Sequence, residues 1–175
     1  MLFGEGDIQR AATRRFSPWK NGGGETAEIV VHPAGAGFAD FDWRISTAKV
    51  VQSGPFSRFD GIDRSLTVLQ GGPIRLRFED GRDVDLAQGD PALVFAGDLG
   101  CAADLIGEAL LDLNVMVRRP LRCRVDTVPQ PVGPDLRARY VLALAPFAGL
   151  ERLDLVEIDP AMSVDGPALW IDILG

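Results

Sequence analysis

The sequence predicts an all-β protein of antiparallel strands with little helix. Short alternating or apolar runs recur along all 175 residues, separated by clusters of Gly, Pro, Asp and Ser. No stretch keeps a 3.6-residue apolar period long enough for a core-facing helix. The 20 glycines and 12 prolines are spread rather than bunched, which suits many tight turns. Strands at such regular spacing belong to a barrel or a sandwich rather than to alternating strand and helix units.

In chain order, one helix-like turn is expected around Gly6 to Thr13. The first strand, Thr26 to Val31, puts Ala27, Ile29 and Val31 on one face and Thr26, Glu28 and Val30 on the other. Further strands are expected at 43 to 51, 64 to 69, 73 to 78, 82 to 86, 91 to 95, 110 to 117, 121 to 128, 139 to 144, 152 to 158 and 168 to 173. Ser53-Gly54-Pro55, Gly71-Gly72-Pro73, Glu79-Asp80-Gly81, Gln88-Gly89-Asp90 and Gly97-Asp98 read as the turns between them. The whole chain, 1 to 175, reads as one domain, with a seam at 129 to 134 (Pro129-Gln130-Pro131-Val132-Gly133-Pro134) between a larger first part and a smaller last part.

Composition excludes several classes of function. At 46% hydrophobic and 25% charged the chain is globular, and its length buries roughly 70% of the unfolded surface. A net charge of −7, with no basic cluster beyond Arg14-Arg15 and Arg118-Arg119, argues against nucleic acid. The first fifteen residues carry Glu5, Asp7, Arg10, Arg14 and Arg15 and no apolar core, so no secretion signal is expected. The apolar run Tyr140 to Leu150 is short and broken by Pro146, so no membrane span is expected either. Cys101 and Cys123 show no CxxC spacing and read as free thiols, which points to a cytoplasmic protein.

Three polar islands stand out. Trp19-Lys20-Asn21-Gly22-Gly23-Gly24 leads into the first strand, where Lys20 and Asn21 offer donors and the glycines allow close approach. Asp42-Trp43-Arg44-Ile45-Ser46 places Arg44 and Ser46 on one face and Trp43 and Ile45 on the other. In the third island Asp112, Asn114, Met116 and Arg118 share a face opposite Leu111, Leu113, Val115 and Val117. Each alone reads more readily as a solvated sheet face or an ordinary loop. Together with Arg64 they suggest polar side chains converging on a barrel mouth or lumen, with Trp19 and Trp43 either walling it or sitting in the core.

Arg64 to Leu76 and Asp85 to Asp98 resemble the strand-turn-strand framework of the cupin superfamily, which implies a cupin-like antiparallel barrel or jelly roll. Metal-binding cupins carry His, His and Glu in the first motif and a further His in the second. Counting from Gly71 and Gly89 places Ser57, Phe59, Arg64 and Gly100 at those positions. None ligates as imidazole or carboxylate does. The lone histidine, His32, reads as the surface end of a strand. No metal and no cofactor are expected.

Trp19 to Gly24 with Thr26 and Glu28, Asp42 to Ser46, Gly54-Pro55-Phe56-Ser57 with Phe59, Gly61 to Arg64, and Asp112 to Met116 closely resemble the HutD/Ves family. The resemblance implies a small cupin-fold protein with a second, barrel-like half. It also implies a role in histidine utilisation, as a governor that binds a pathway metabolite such as formylglutamate, and no catalytic residue. The candidate ligand-binding set is Trp19, Lys20, Asn21, Gly22, Thr26, Glu28, Trp43, Arg44, Ser46, Phe59, Arg64, Asp112, Asn114 and Met116. Convergence of Lys20, Arg44 and Arg64 would suit a small anionic metabolite.

Two other readings remain open. One is a metal-independent isomerase or lyase acting on a small organic acid, with Glu28 or Asp112 as base, although neither neighbourhood in the sequence shows a tuned carboxyl. The other is a stress-related interaction module using the acidic surface. Oligomerisation is left open.

Overall fold

The structure is a computed structural model that describes residues 2–175. Its strands are β1 (Ile8–Gln9), β2 (Ser17–Pro18), β3 (Gly24–His32), β4 (Trp43–Val50), β5 (Gly54–Pro55), β6 (Ile62–Phe78), β7 (Asp83–Leu86), β8 (Leu93–Ala96), β9 (Cys101–Arg118), β10 (Arg122–Asp126), β11 (Leu136–Ala143), β12 (Leu155–Glu157) and β13 (Ala168–Leu174). The expected helix-like turn is a pair of 3-10 turns, Glu5–Asp7 and Ala11–Thr13. Among the described residues no helix is long and apolar enough to cross a membrane.

The chain forms two compact units, one running from Arg15 to Arg119 and the other joining the residues up to Arg14 with Pro120 to Gly175. The second union depends on β1, whose Ile8 pairs with Val156 of β12. A two-residue strand has no period to detect, so sequence spacing gives no hint of it.

The 15–119 unit is a cupin-like antiparallel barrel. Its eight-stranded sheet runs β2-β3-β4-β9-β6-β7, with β5 on β9 and β8 on β6. The two long strands let the sheet fold over itself. β6 meets β8 along Asp63–Leu66 and β7 along Ile74–Arg77, while β9 runs beside it from end to end.

Gly71-Gly72-Pro73, expected as a turn between separate strands, lies instead inside β6. The ladder with β9 shifts register at three points between Val68 and Ile74, and Gly71 and Gly72 have φ of 76° and 78°. A Cβ on Gly71 would run into the Ala109 carbonyl oxygen. The glycines therefore mark where two backbones cross closely as the sheet turns its corner, as glycine and bulges do in barrels.

A second irregularity re-aims β3. Between Glu28 and Val30 the register with β4 shifts by one residue, so Val31 pairs with Arg44 while Ala27 pairs with Thr47. Ala27 and Val31 thus lie on opposite faces, which corrects the simple alternation expected for this strand. Val31 packs against Phe41, Ile62 and Met116, and a larger cluster around Leu66, Val68, Ile74, Leu76 and Phe95 fills the barrel beyond.

The other unit is a five-stranded antiparallel sheet, β1-β12-β11-β13-β10, over a core that includes Phe3, Ile8, Val141, Leu150, Val156 and Trp170. Arg124, Asp172 and Arg139 sit side by side across three of its strands. Asp172 accepts hydrogen bonds from Arg139 Nε at 2.6 Å and Nη2 at 2.9 Å, and from Arg124 Nη2 at 2.7 Å. Pro129 to Pro134 forms the connection between β10 and β11.

Candidate functional site

The barrel of the 15–119 unit contains a cavity of about 720 Å³. Ladder register explains its walls, because residues directly opposite on neighbouring strands point to the same face. One row is Thr26, Ala48, Asp112 and Val68; the next is Glu28, Ser46, Asn114 and Leu66; a third is Arg44, Met116 and Arg64. The three polar islands are thus brought together by two strand pairings, β3 with β4 and β4 with β9.

Arg64 is the central cation. It is 6% exposed, and Nε donates to Asn114 Oδ1 at 3.5 Å while Nη1 donates to the Ser57 carbonyl at 3.3 Å. Its guanidinium lies 5.4, 5.5 and 5.3 Å from the ring centroids of Phe56, Phe59 and Phe95. Among the described residues no carboxylate forms an ion pair with it and no acceptor reaches Nη2. Burial pulls its pKa down, opposed by Asp112, yet an arginine remains charged in such a setting.

Asp112 is its counterpart. The side chain is 2% exposed, and Oδ1 is buried without a hydrogen-bond partner. Burial pushes the carboxyl up to about 7, against the charge of Arg64 and the backbone N–H of Ala48. The two charges form no ion pair. Each keeps one unengaged polar atom, Nη2 of Arg64 and Oδ1 of Asp112, and both residues line the same cavity.

Arg44 is engaged. Its Nε donates to Glu28 Oε1 at 3.0 Å and Nη1 to Ser46 Oγ at 3.3 Å, and Phe38 covers its guanidinium at 5.0 Å. At the rim, Lys20 and Arg15 are exposed lining residues with no ion-pair or hydrogen-bond partner among the described residues. Trp19 Nε1 donates to Thr26 Oγ1 at 2.7 Å, and Asn21 Oδ1 accepts from the Gly23 N–H at 2.8 Å, closing the turn into β3. Close approach is needed at Gly24, where a Cβ would strike the Lys49 carbonyl oxygen.

Of the sequence-derived set, Trp19, Lys20, Asn21, Thr26, Glu28, Arg44, Ser46, Phe59, Arg64, Asp112, Asn114 and Met116 line this cavity. Gly22 and Trp43 do not. Gly22 belongs to the turn, its N–H donating to the Trp19 carbonyl at 3.1 Å. Trp43 precedes Arg44 on β4 and so faces the other way, where its ring stacks on His32 with centroids 3.8 Å apart. His32 itself is the exposed last residue of β3.

Arg15, Phe38 and Phe56 also line the cavity and carried no periodic signal in the sequence. Arg118 shares a strand face with Asn114 but is turned to the loop, donating to the carbonyls of Phe41 at 2.9 Å and Ala39 at 3.1 Å. It holds the segment that carries Phe38.

The donor set does not fit a cupin metal. At the four aligned positions stand a cation, an aromatic ring, a serine whose carbonyl serves Arg64, and Gly100, which packs beside the Arg58–Glu79 pair rather than in the cavity. Among the described residues no group of three or more His, Cys, Asp or Glu is placed to hold a metal ion.

The model of the family described as HutD matches residues 11–141. A Pseudomonas putida protein, described as an uncharacterized 21.2 kDa protein in the hutC 3′ region, is 41% identical over 117 residues, covering 67% of this chain and 60% of the relative. Protein Ves of Citrobacter koseri is 40% identical over 107 residues, 61% of this chain and 54% of the relative. The matched segment thus spans only a little over half the length of these relatives. Among solved structures, HutD from Pseudomonas fluorescens SBW25, in a formate condition, superposes with a TM-score of 0.81 at 28% identity over 95% of this chain and 97% of that one. A conserved protein of unknown function from Pseudomonas aeruginosa PAO1 gives a TM-score of 0.73 at 27% identity, covering 95% and 91%.

Proposed function

The chain belongs to the HutD family, and from that premise we propose that it binds a small carboxylate metabolite without transforming it. The observation that carries this reading is Arg64, a buried cation lining a cavity and forming no ion pair with any carboxylate among the described residues. Arginine grips a carboxylate through parallel N–H donors, and a site shielded from water strengthens that grip. Lys20 and Arg15 at the rim suit a second carboxylate, so the preferred ligand is a dicarboxylate with a hydrogen-bonding tail, such as formylglutamate. The cavity volume is ample for a molecule of that size. The relative from the hutC 3′ region supports a link to histidine utilisation, and a regulatory role there, in the cytoplasm, is part of the same proposal.

Calorimetric titration with formylglutamate, glutarate and the neutral diamide glutaramide tests the reading. The two dianions should bind and the diamide should not. Equal binding of the diamide would remove the charge-based site.

A second reading has one observation in its favour. A carboxyl titrating at about 7 in a cavity is what a metal-independent isomerase or lyase uses as general base, and Asp112 is such a carboxyl. Glu28 is not, since it is half exposed and tied to Arg44. Recovery of unchanged ligand after prolonged incubation, followed by NMR, supports the binder, whereas accumulation of an isomer or elimination product supports the enzyme.

A further inference from the structure

Building on the carboxylate-binding reading, we infer that Asp112 works in this site as a neutral carboxylic acid, donating its proton to an oxygen of the carboxylate held by Arg64, so that ligand and proton bind together. The inference starts from geometry. Asp112 is flanked along its row by Ala48 on one side and Val68 on the other, so neither side chain directly opposite it can satisfy it. Its Oδ1 is buried and unpartnered, a state that persists only if something outside the protein completes it or the group is neutral.

Arg64 is the charge acting on Asp112, but the two stop short of an ion pair, and Arg64 Nη2 is also unengaged. A ligand oxygen between them would answer both vacant valences. It would also bring a second carboxylate next to the buried Asp112, where two such groups around one cation are hard to keep both ionised. The resolution with atoms in balance is one proton taken from solvent. It rests on Asp112, whose hydroxyl donates to one ligand oxygen while Arg64 Nη2 donates to the carboxylate.

The other charged groups facing the cavity do not supply that proton or remove the conflict. Glu28 is held by Arg44, and Lys20 and Arg15 sit at the exposed rim. Cys101, which senses the charge of Arg64 from the apolar cluster outside the cavity lining, is pushed up to about 11 by burial and stays a neutral thiol. In the free protein Asp112 titrates at about 7, so near neutral pH it is ready to accept a proton at little cost. The ligand class follows: an anion that presents a carboxylate oxygen able to accept a hydrogen bond from an acid.

The sign of the pH dependence is fixed. Below pH 7 Asp112 already holds its proton and affinity is at its full value, down to the pH where the ligand carboxylate itself protonates. Above about 7 each unit of pH lowers affinity roughly tenfold, because the proton must be recaptured.

The test is calorimetry on the unmodified protein with formylglutamate and with glutarate, in two buffers of different ionisation enthalpy, from pH 6 to 9. Uptake of close to one proton per ligand at pH 8 to 9, falling towards none at pH 6, is expected. Asp112→Asn, which keeps a neutral donor, should bind with a flat pH profile and at least wild-type affinity at pH 8. Asp112→Ala should weaken binding across the range. Binding with no proton uptake, or the wild-type pH slope persisting in Asp112→Asn, overturns this inference while leaving the carboxylate site standing. Failure of both dianions to bind the wild-type protein at any pH overturns the site and the inference together. Should the Asn variant fail to fold, the two-buffer comparison on wild type decides by itself.

Discussion

Replacing Arg64 with methionine separates recognition from folding. The side chain is 6% exposed and has two hydrogen bonds, at 3.5 and 3.3 Å, and no ion pair. A cation desolvated with two long hydrogen bonds and no ion pair adds little to stability beyond its contacts with the aromatic rings, and apolar replacement of buried charged groups is often neutral or stabilising by about 1–4 kcal/mol. Methionine also preserves contact with Phe56, Phe59 and Phe95. The neighbouring Asp112, already raised to about 7, then becomes neutral at pH 7 rather than stranded as an anion. The melting temperature should therefore hold or rise. Binding goes the other way, since loss of one partner in a buried charge-assisted pair costs about 2–5 kcal/mol. Formylglutamate affinity should fall by a factor of at least about thirty. Arg119→Ala is the control, because Arg119 is exposed and bound to Asp63 and Asp98 away from the cavity. Calorimetry and thermal unfolding read the two effects separately. Parallel loss of stability and binding would make Arg64 a structural prop, and unchanged binding would remove it from the site.

Three further outcomes follow from other parts of the chain. Gly71→Ala should lower urea stability by about 1–3 kcal/mol, because φ of 76° and the nearby Ala109 carbonyl both oppose a Cβ. Glu28→Gln should strengthen dicarboxylate binding about two- to fivefold by releasing Arg44, with the gain shrinking in high salt. Asp172→Asn should cost about 3–5 kcal/mol, since Arg139 would be left buried without its partner. Burial raises the Asp172 carboxyl, but hydrogen bonds from Arg139 and Arg124 outweigh it and hold the group below its ordinary range. Its contribution is thus complete above about pH 4 and lost as pH falls through the lower folded value, where the unfolding curves of variant and wild type should converge.

Strand character and the faces of β4 and the C-terminal half of β9 were legible because both keep strict alternation through the residues that line the cavity. Alternation failed on β3, where a bulge at Ile29 adds a residue and no side-chain pattern marks it. Gly71-Gly72-Pro73 misled for a related reason: the same residues that make a turn also make a barrel corner, and only the β9 backbone across from them distinguishes the two. Trp43 joined the candidate set through its motif, whereas the period-two rule placed it opposite Arg44, and the rule prevails. The tuned carboxyl was invisible. Asp112 sits among Leu111 and Leu113 in sequence like any strand residue, and its shift arises from the strands packed on either side. Phe38 and Phe56 lie on connecting segments, whose placement depends on contacts such as Arg118 to the Phe41 carbonyl.

The carboxylate site is tested most directly by a crystal structure of the protein with formylglutamate. One ligand carboxylate is expected at about 2.7–2.9 Å from Arg64 Nη2, with an oxygen of the same group facing Asp112 Oδ1 and the second carboxylate towards Lys20. Ligand density elsewhere on the chain, or a cavity holding only water under conditions where calorimetry reports saturation, would contradict it.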